Sequence, residues 1–146
     1  MRVDVILLSH GSRAPEARAY FLELADTVRA VTAWPNVTPA FMELCEPSLR
    51  AAVDAQVAQG AERIVVLPCF LHPGLHLRED VPRLMAEAQA AHPAVPLILA
   101  ERIGSHPGLV HLIARCVAEA LDDREHSLHT PGATTGEGLA TPAPPG

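Results

Sequence analysis

Short apolar runs alternate with amphipathic segments along most of this sequence, and this alternation restricts the fold more than any other feature. The first run, Val3 to Leu8, is nearly continuous and aliphatic, as expected of a strand that is buried on both faces. The next segment, Pro15 to Ala33, has apolar residues at helical spacing and is stopped by Trp34-Pro35. Strand, helix and strand in this order predict parallel strands joined by crossover helices.

The same alternation continues to Leu121 and predicts three further strands and three further helices. The predicted strands are Val37 to Leu44, Glu62 to Leu67 and Leu97 to Ala100, and the predicted helices run from Glu46-Pro47-Ser48 to Gly60, from about Arg78 to Ala91 and from His106 to Leu121. We therefore expect one α/β domain over residues 1–122, with a four-stranded parallel sheet and helices on both faces. Residues 123–146 are rich in Pro, Gly, Ala and Thr, which predicts a disordered tail.

The charge and the cysteines exclude several classes of partner. The formal net charge is −6 and the basic residues are scattered singly, which argues against a nucleic-acid partner. No stretch approaches the roughly 20 apolar residues that span a bilayer, which argues against a membrane partner. Cys45, Cys69 and Cys116 are odd in number and far apart, as is typical of a reducing compartment. These features predict a cytoplasmic protein.

Polar side chains stand where the predicted strands end. His10 follows the first strand, Glu43 and Glu46 lie at the end of the second, and His72 and His76 lie in the loop after the third. The carboxyl ends of parallel strands meet at one end of a sheet, where this class of fold builds its sites. Imidazole and carboxylate together suit borderline divalent ions, and the absence of an HExxH motif or clustered cysteines argues against a tight structural zinc site.

Three blocks of the sequence follow one another in order, namely LLSHGSR at Leu7 to Arg13, FMELCEPSL at Phe41 to Leu49 and PCFLHPGLHLREDVP at Pro68 to Pro82. Together they resemble the signatures of the small sirohydrochlorin chelatases, the class II chelatases that include cobaltochelatases and ferrochelatases. The resemblance runs from about Val3 to Leu121. It implies the chelatase fold, a homodimer, and insertion of a divalent metal into sirohydrochlorin in cobalamin or siroheme biosynthesis.

The resemblance also implies the site residues and the metal. His10 and His76 would bind the metal and do acid–base work, and Glu43 would join them. The metal is a substrate, Co²⁺ ahead of Fe²⁺ with Ni²⁺ also compatible, and no organic cofactor is expected. A histidine with a pKa of roughly 6.5 can accept pyrrole protons at neutral pH, but the sequence does not decide which histidine is the base.

The loop after the first strand allows two interpretations. Ser9, Gly11, Ser12 and Arg13 could bind the acetate and propionate groups of the tetrapyrrole through N–H, hydroxyl and guanidinium donors. Ser9, Gly11 and Ser12 could instead form a tight turn in which the glycine permits a close backbone approach and the serines cap the following helix, and Arg13 could be a solvated arginine. Both interpretations can hold together, so we predict these four residues to be substrate-binding.

Three polar residues near the predicted ligands also keep two interpretations. Glu46 is better explained as a residue at a helix start than as a ligand, so we favour Glu43. Asp80 could orient His76 or act only as an acid in the first turn of a helix. His72 could be an added ligand or a loop side chain.

Two other functions were weighed against the chelatase. A noncatalytic carrier of tetrapyrrole or metal would keep the pocket and bind product without turnover. A nucleotide binder would need a glycine-rich loop after the first strand, but HGSRAPE has a single glycine and no P-loop lysine. The sequence therefore favours the enzyme, with the carrier as its alternative.

Overall fold

The computed structural model describes residues 1–129, except for the side chains of His76 and of residues 126–129. Its strands are β1 (Val3–Ser9), β2 (Val37–Phe41), β3 (Arg63–Pro68) and β4 (Leu97–Leu99). Its helices are α1 (Pro15–Val31), α2 (Leu49–Ala58), α3 (Leu75–Ala91) and α4 (Gly108–His129), with a 3₁₀ turn at Ile103–Ser105. The predicted α/β order is confirmed over this part of the chain.

All strand pairs in the sheet are parallel, and the strand order is β2-β1-β3-β4. β1 lies in the centre with five consecutive buried residues, as its continuous apolar run predicts. Its side chains alternate between two cores. Ile6 and Leu8 belong to one buried cluster, and Val5 and Leu7 belong to the other.

The two clusters show which helices cover which face of the sheet. Leu49 of α2 and Val81 of α3 pack in the cluster of Ile6 and Leu8. Phe21 of α1 packs in the other cluster, where its ring lies 5.6 Å from that of Phe41. Helices therefore cover both faces, as predicted, and the parallel strands direct their carboxyl ends to one end of the sheet, here called the carboxyl end.

The opposite end, here called the amino end, is held by an ion pair between the buried Asp4 and the partly exposed Arg2. The Asp4 carboxylate is fully buried and accepts hydrogen bonds from Arg2 Nε at 2.9 Å and Nη2 at 3.1 Å. The third Arg2 nitrogen, Nη1, donates to the carbonyl oxygen of Gln59 at 2.7 Å. The acidic residue that interrupts the first apolar run thus ties β1 to the end of α2.

The structure corrects the predicted end of the second strand. β2 ends at Phe41 rather than at Leu44. Leu44 has a φ of 67°, a left-handed conformation that a β-strand does not contain. Glu43 is therefore a residue of the loop after β2, not of the strand itself.

The third helix also differs from its prediction. α3 begins at Leu75 with Gly74 as its N-cap, whereas the prediction started it near Arg78 and placed His76 in a loop. The apolar face that packs on the core includes Leu77 and Val81, which are four residues apart, so the helical periodicity begins a turn earlier than predicted. The backbone of His76 lies in the first turn of α3.

The chain divides into two compact units, Met1–Leu109 and a second unit that begins at Val110. The described part of the second unit is α4, whose Arg115 and Glu119 pair at 3.1 Å. α4 continues to His129, so the predicted boundary between domain and tail at residue 122 falls within this helix. The rest of the predicted tail, residues 130–146, lies outside the described residues. None of the helices described is both long and apolar enough to cross a bilayer.

Candidate functional site

His10 and Glu43 are brought together because the pairing of β1 with β2 continues past both strands. Ser9 is in register with Phe41, the last residue of β2. Beyond this pair, the Met42 N–H donates to the Ser9 carbonyl at 2.9 Å and the Glu43 N–H donates to the His10 carbonyl at 3.1 Å. The ladder thus places His10 and Glu43 side by side at the carboxyl end of the sheet.

The two side chains face each other and remain open to solvent. His10 Nε2 lies 3.7 Å from Glu43 Oε1, and the side chains are 56% and 59% exposed. The edge of the His10 ring meets Phe70, with the ring centroids 6.4 Å apart. An imidazole nitrogen and a carboxylate oxygen at this distance can share a divalent ion, or pass a proton through one bridging water.

Gly11 is required by the same close approach of the two loops. Its φ is +106°, and a Cβ atom at this position would lie 1.8 Å from the carbonyl oxygen of Glu43. No side chain fits there without moving the backbone of Glu43. The glycine of the HGSR block therefore has a structural role in setting the position of Glu43.

Cys45 connects the loop after β2 to the loop after β1 through a hydrogen bond. Cys45 Sγ donates to the Ser12 carbonyl at 2.8 Å, and the Cys45 N–H donates to the Glu43 carbonyl at 2.8 Å. Glu46, which the sequence analysis placed at a helix start, accepts from the Ser48 N–H at 3.2 Å just before α2. Glu46 thus stabilises the turn that precedes α2, whereas Glu43 faces His10.

A cavity of about 290 Å³, here called the His10 cavity, lies beside this pair. Its lining includes His10, Glu43 and, from α3, Asp80 and Arg83. Arg83 Nη2 lies 3.5 Å from Asp80 Oδ1, and Nη1 lies 3.2 Å from Glu87 Oε1. The cavity therefore combines a histidine with carboxylates and an arginine that come from three elements.

The sequence analysis missed Arg83 as a residue of this cavity. Asp80, Arg83 and Glu87 stand at spacings of three and four residues, which place them on one face of a helix. This spacing could have predicted the ion pairs. It could not have predicted that this face lines the cavity, because that depends on how α3 lies against β1 and β2.

The third predicted ligand, His76, has a side chain that lies outside the described residues. Among the side chains that are described, no group of three or more His, Cys, Asp or Glu residues could hold a metal ion. The structure thus brings two of the three predicted ligands together, His10 and Glu43. His72, which the sequence left open, has an exposed side chain in the loop before α3.

The cysteine that follows β3 is not a thiolate at neutral pH. The Cys69 N–H donates to the Leu8 carbonyl at 2.8 Å, so the residue lies beside the end of β1. Burial raises the pKa of the Cys69 thiol to about 11. Cys69 therefore lies in the core beside β1 as a neutral, largely buried thiol, and the predicted ligands at this end stay His10, Glu43 and His76.

The predicted substrate-binding residues lie in the loop after β1, next to His10. Ser12 Oγ accepts a hydrogen bond from the Ala14 N–H at 3.1 Å, whereas Ala14, the N-cap of α1, makes no side-chain cap. Ser12 therefore stabilises the turn before α1. Arg13 is exposed, and Ser9 and Gly11 are half-buried. Substrate binding by these four residues stays a prediction.

A model of the CbiX family matches residues 4–120. The chain belongs to the CbiX family. The matched range includes all four strands and the three blocks that carry His10, Glu43 and His76, so the family assignment covers both the sheet and the site.

Characterised relatives of this CbiX chain are chelatases by name. It is 44% identical over 84 residues to the chloroplastic sirohydrochlorin ferrochelatase of Arabidopsis thaliana. These 84 residues cover 58% of this chain and 37% of the relative. It is 38% identical over 88 residues to the sirohydrochlorin cobaltochelatase of Methanocaldococcus jannaschii. These 88 residues cover 60% of this chain and 62% of the relative. The matched region thus spans less than two thirds of the length of these relatives.

Solved structures share the fold of this CbiX chain. A CbiX protein of Marinobacter aquaeolei VT8 has a TM-score of 0.76 and 40% identity, over 86% of this chain and all of that one. The sirohydrochlorin chelatase SirB of Bacillus subtilis subspecies spizizenii, in complex with cobalt, has a TM-score of 0.73 and 26% identity, over 82% of this chain and 51% of SirB. This confirms the chelatase fold that the sequence blocks imply.

Proposed function

We propose that this chain is a chelatase that inserts a divalent metal, Co²⁺ or Fe²⁺, into sirohydrochlorin. One observation carries the proposal: the β1–β2 ladder places His10 Nε2 3.7 Å from Glu43 Oε1, exposed at the carboxyl end of a CbiX-family sheet. The relatives named for cobalt and iron insertion support the same reaction and both metals.

The chemistry of insertion explains why an exposed pair of this kind is useful. Two pyrrole N–H bonds break while the metal binds the four ring nitrogens, so two protons leave as the metal enters. The Glu43 carboxylate supplies negative charge for the ion, and a neutral imidazole at His10 supplies either a ligand nitrogen or a proton acceptor. We propose His76 as the third member of this set, from the first turn of α3.

The exposure of the site suits a metal that is a substrate rather than a resident ion. Both side chains are more than half exposed, and the described side chains do not form a closed cage. Ions held in four-ligand cages are structural and are released slowly, whereas open positions exchange. The site would therefore bind the ion long enough to transfer it.

We test the proposal by anaerobic absorbance spectroscopy of sirohydrochlorin with Co²⁺, Fe²⁺ or Ni²⁺ and catalytic amounts of the protein. The expected result is metallation above the nonenzymatic rate over many turnovers. Glu43→Gln should remove this turnover, and Glu46→Gln should retain it because Glu46 serves the entry to α2. Stoichiometric binding without turnover would make the protein a tetrapyrrole carrier instead.

We also propose that two copies of the chain associate. The cobalt-bound SirB structure is matched over 51% of its length, so a second copy would supply the equivalent of its other half. Four apolar residues of α4 share one helical face and are more than half exposed, namely Val110, Ile113, Val117 and Leu121. Val117→Glu should halve the mass measured by light scattering, whereas Leu112→Glu, on the opposite face, should not.

The proposed compartment is the cytoplasm. All three cysteines are free thiols, two half-buried and Cys116 exposed. Exposed free thiols persist in reducing compartments. Fractionation of cells that express the natural chain would test this, and recovery of the protein outside the cytoplasm would contradict it.

A further inference from the structure

A second and larger cavity, of about 530 Å³, lies at the carboxyl end of the sheet on the other flank of α3. We call it the Arg102 cavity. Leu77, Arg78 and Val81 of α3 form one wall, and Leu99, Glu101 and Arg102 at the end of β4 form another. Helical periodicity places Leu77, Arg78 and Val81 about a third of a turn around the α3 axis from the residues that line the His10 cavity.

Arg102, which lines this cavity, carries a hydrogen-bond donor without a partner. Its side chain is half-buried, and its Nε has no exposed surface and no hydrogen-bond partner among the described residues. A buried donor without a partner lowers stability, so such groups call for an explanation. Arg83 on the other flank of α3 differs, because it pairs with Asp80 and Glu87.

The lining of the Arg102 cavity fits an anion with an apolar stem. Arg78 and Arg102 supply two positive charges against the one negative charge of Glu101. Leu77, Val81 and Leu99 supply apolar surface beside them. A carboxylate at the end of a short methylene chain matches both features, because guanidinium groups bind carboxylates and the apolar wall can cover the methylenes.

The Arg102 segment is held in a defined position relative to His10. The Gly104 N–H donates to the Phe70 carbonyl at 2.9 Å, and a Cβ atom on Gly104 would lie 1.7 Å from the carbonyl oxygen of Leu71. The ring of Phe70 in turn contacts the ring of His10. Contacts through the β3–α3 loop therefore connect the segment that carries Arg102 to His10.

The His10 cavity, at about 290 Å³, is at the small end of the range for ligand sites, so a tetrapyrrole needs contacts beyond it. We propose that the Arg102 cavity is a subsite for a carboxylate arm of the tetrapyrrole substrate, with Arg102 as the partner of the carboxylate and Arg78 as a second positive charge. This inference rests on the proposed function. It adds a residue that sets the position of the ring and that lies outside the three sequence blocks.

The test is the affinity for metal-free sirohydrochlorin, measured by absorbance titration of the full chain without metal. We expect Arg102→Gln to raise Kd about tenfold and Arg78→Gln, which removes an exposed charge, about threefold. Arg63→Gln is the matched control, because Arg63 Nε is also buried and unpartnered but lies at the amino end of the sheet. Arg63→Gln should leave Kd unchanged. If Arg102→Gln folds poorly, Arg102→Lys replaces it in the test, and because it keeps the charge it should retain part of the wild-type affinity.

The outcomes separate this inference from the proposed function. An equal Kd for Arg102→Gln and Arg63→Gln would overturn the subsite even where the wild-type protein inserts metal. A tenfold loss of affinity that persists in a His10→Ala background would support the subsite even where no metallation is seen. Succinate alone serves as a free dicarboxylate, and Arg102-dependent binding of succinate with an unchanged Kd for sirohydrochlorin would also overturn it. If the wild type does not bind sirohydrochlorin, both proposals fail.

Discussion

The two ends of the sheet carry similar charged groups but use them differently. At the amino end, Arg2 and the fully buried Asp4 pair at 2.9 Å. At the carboxyl end, His10 and Glu43 lie 3.7 Å apart and are more than half exposed. A buried pair is strongly coupled to folding, whereas an exposed pair contributes little to stability and stays available to a ligand. The comparison predicts that changes at the two ends affect different measurements.

The largest expected effect is on the rate of metal insertion. His10→Ala should lower the rate about 100-fold because it removes a ligand or a proton acceptor. The free energy of unfolding should change by less than about 0.5 kcal/mol, since the side chain is exposed. Anaerobic absorbance assays and urea denaturation measure the two quantities.

His111→Ala, on α4, is the control for an exposed histidine outside the site. It should retain both rate and stability. A His10→Ala protein with the wild-type rate would show that the exposed pair has no part in the reaction.

The opposite pattern is expected at the amino end. Asp4→Asn should lower the free energy of unfolding by about 2 to 3 kcal/mol, because it removes the charge that Arg2 pairs with in a buried setting. The rate per folded molecule should remain that of the wild type. Urea denaturation measures the free energy of unfolding, and assays under conditions in which the variant stays folded measure its rate of metal insertion. A loss of rate in the folded variant would show that the amino end also affects the reaction.

A glycine at the carboxyl end links stability and activity. Gly11→Ala should cost about 1 to 3 kcal/mol, because the added Cβ meets the Glu43 carbonyl at 1.8 Å in a left-handed conformation. It should also slow metal insertion, since relief of the clash moves Glu43 away from His10. Gly74→Ala is the matched control, because a Cβ at Gly74 has no atom within 4 Å and should change both values little. Equal behaviour of the two variants would remove the structural role assigned to Gly11.

The smallest expected effect concerns the thiol of Cys69, which lies at the carboxyl end of the sheet but is largely buried. Burial raises the pKa of Cys69 to about 11, so its thiol should react with a disulfide reagent at pH 8 more slowly than the exposed Cys116. Because the pKa of Cys69 is higher in the folded protein than in the unfolded chain, the stability that this residue contributes is present below its usual pKa of 9.0. It is lost as the pH rises from there toward 11. Cys69→Ala should flatten this alkaline decline, and rapid labelling of folded Cys69 would contradict its burial.

The sequence predicted the fold well and the site in part, for reasons that particular residues show. The continuous apolar run of β1 requires burial on both faces, and this alone calls for helices above and below the sheet. The start of α3 was predicted too late because Pro73 and Gly74 were taken to extend the loop. His10 and Glu43 were predicted to converge since parallel strands share a carboxyl end, and their 3.7 Å distance agrees.

Other features depend on contacts between segments that are far apart in the sequence. Arg83 lines the His10 cavity and Arg102 lines the second cavity only because of where α3 lies on the sheet. The sequence gives no sign that either arginine lines a cavity, because an arginine is most often a solvated surface residue.

The sequence by itself determined the order of strands and helices, the face of each that is buried, and the end of the sheet at which polar groups gather. These follow from local periodicity and from the direction of parallel strands, which neighbouring residues encode. The tertiary structure decided the pairing of His10 with Glu43, the requirement for Gly11 and the two cavities that flank α3. Those depend on ångström-scale distances between separate loops, which are set only when the helices pack on the sheet.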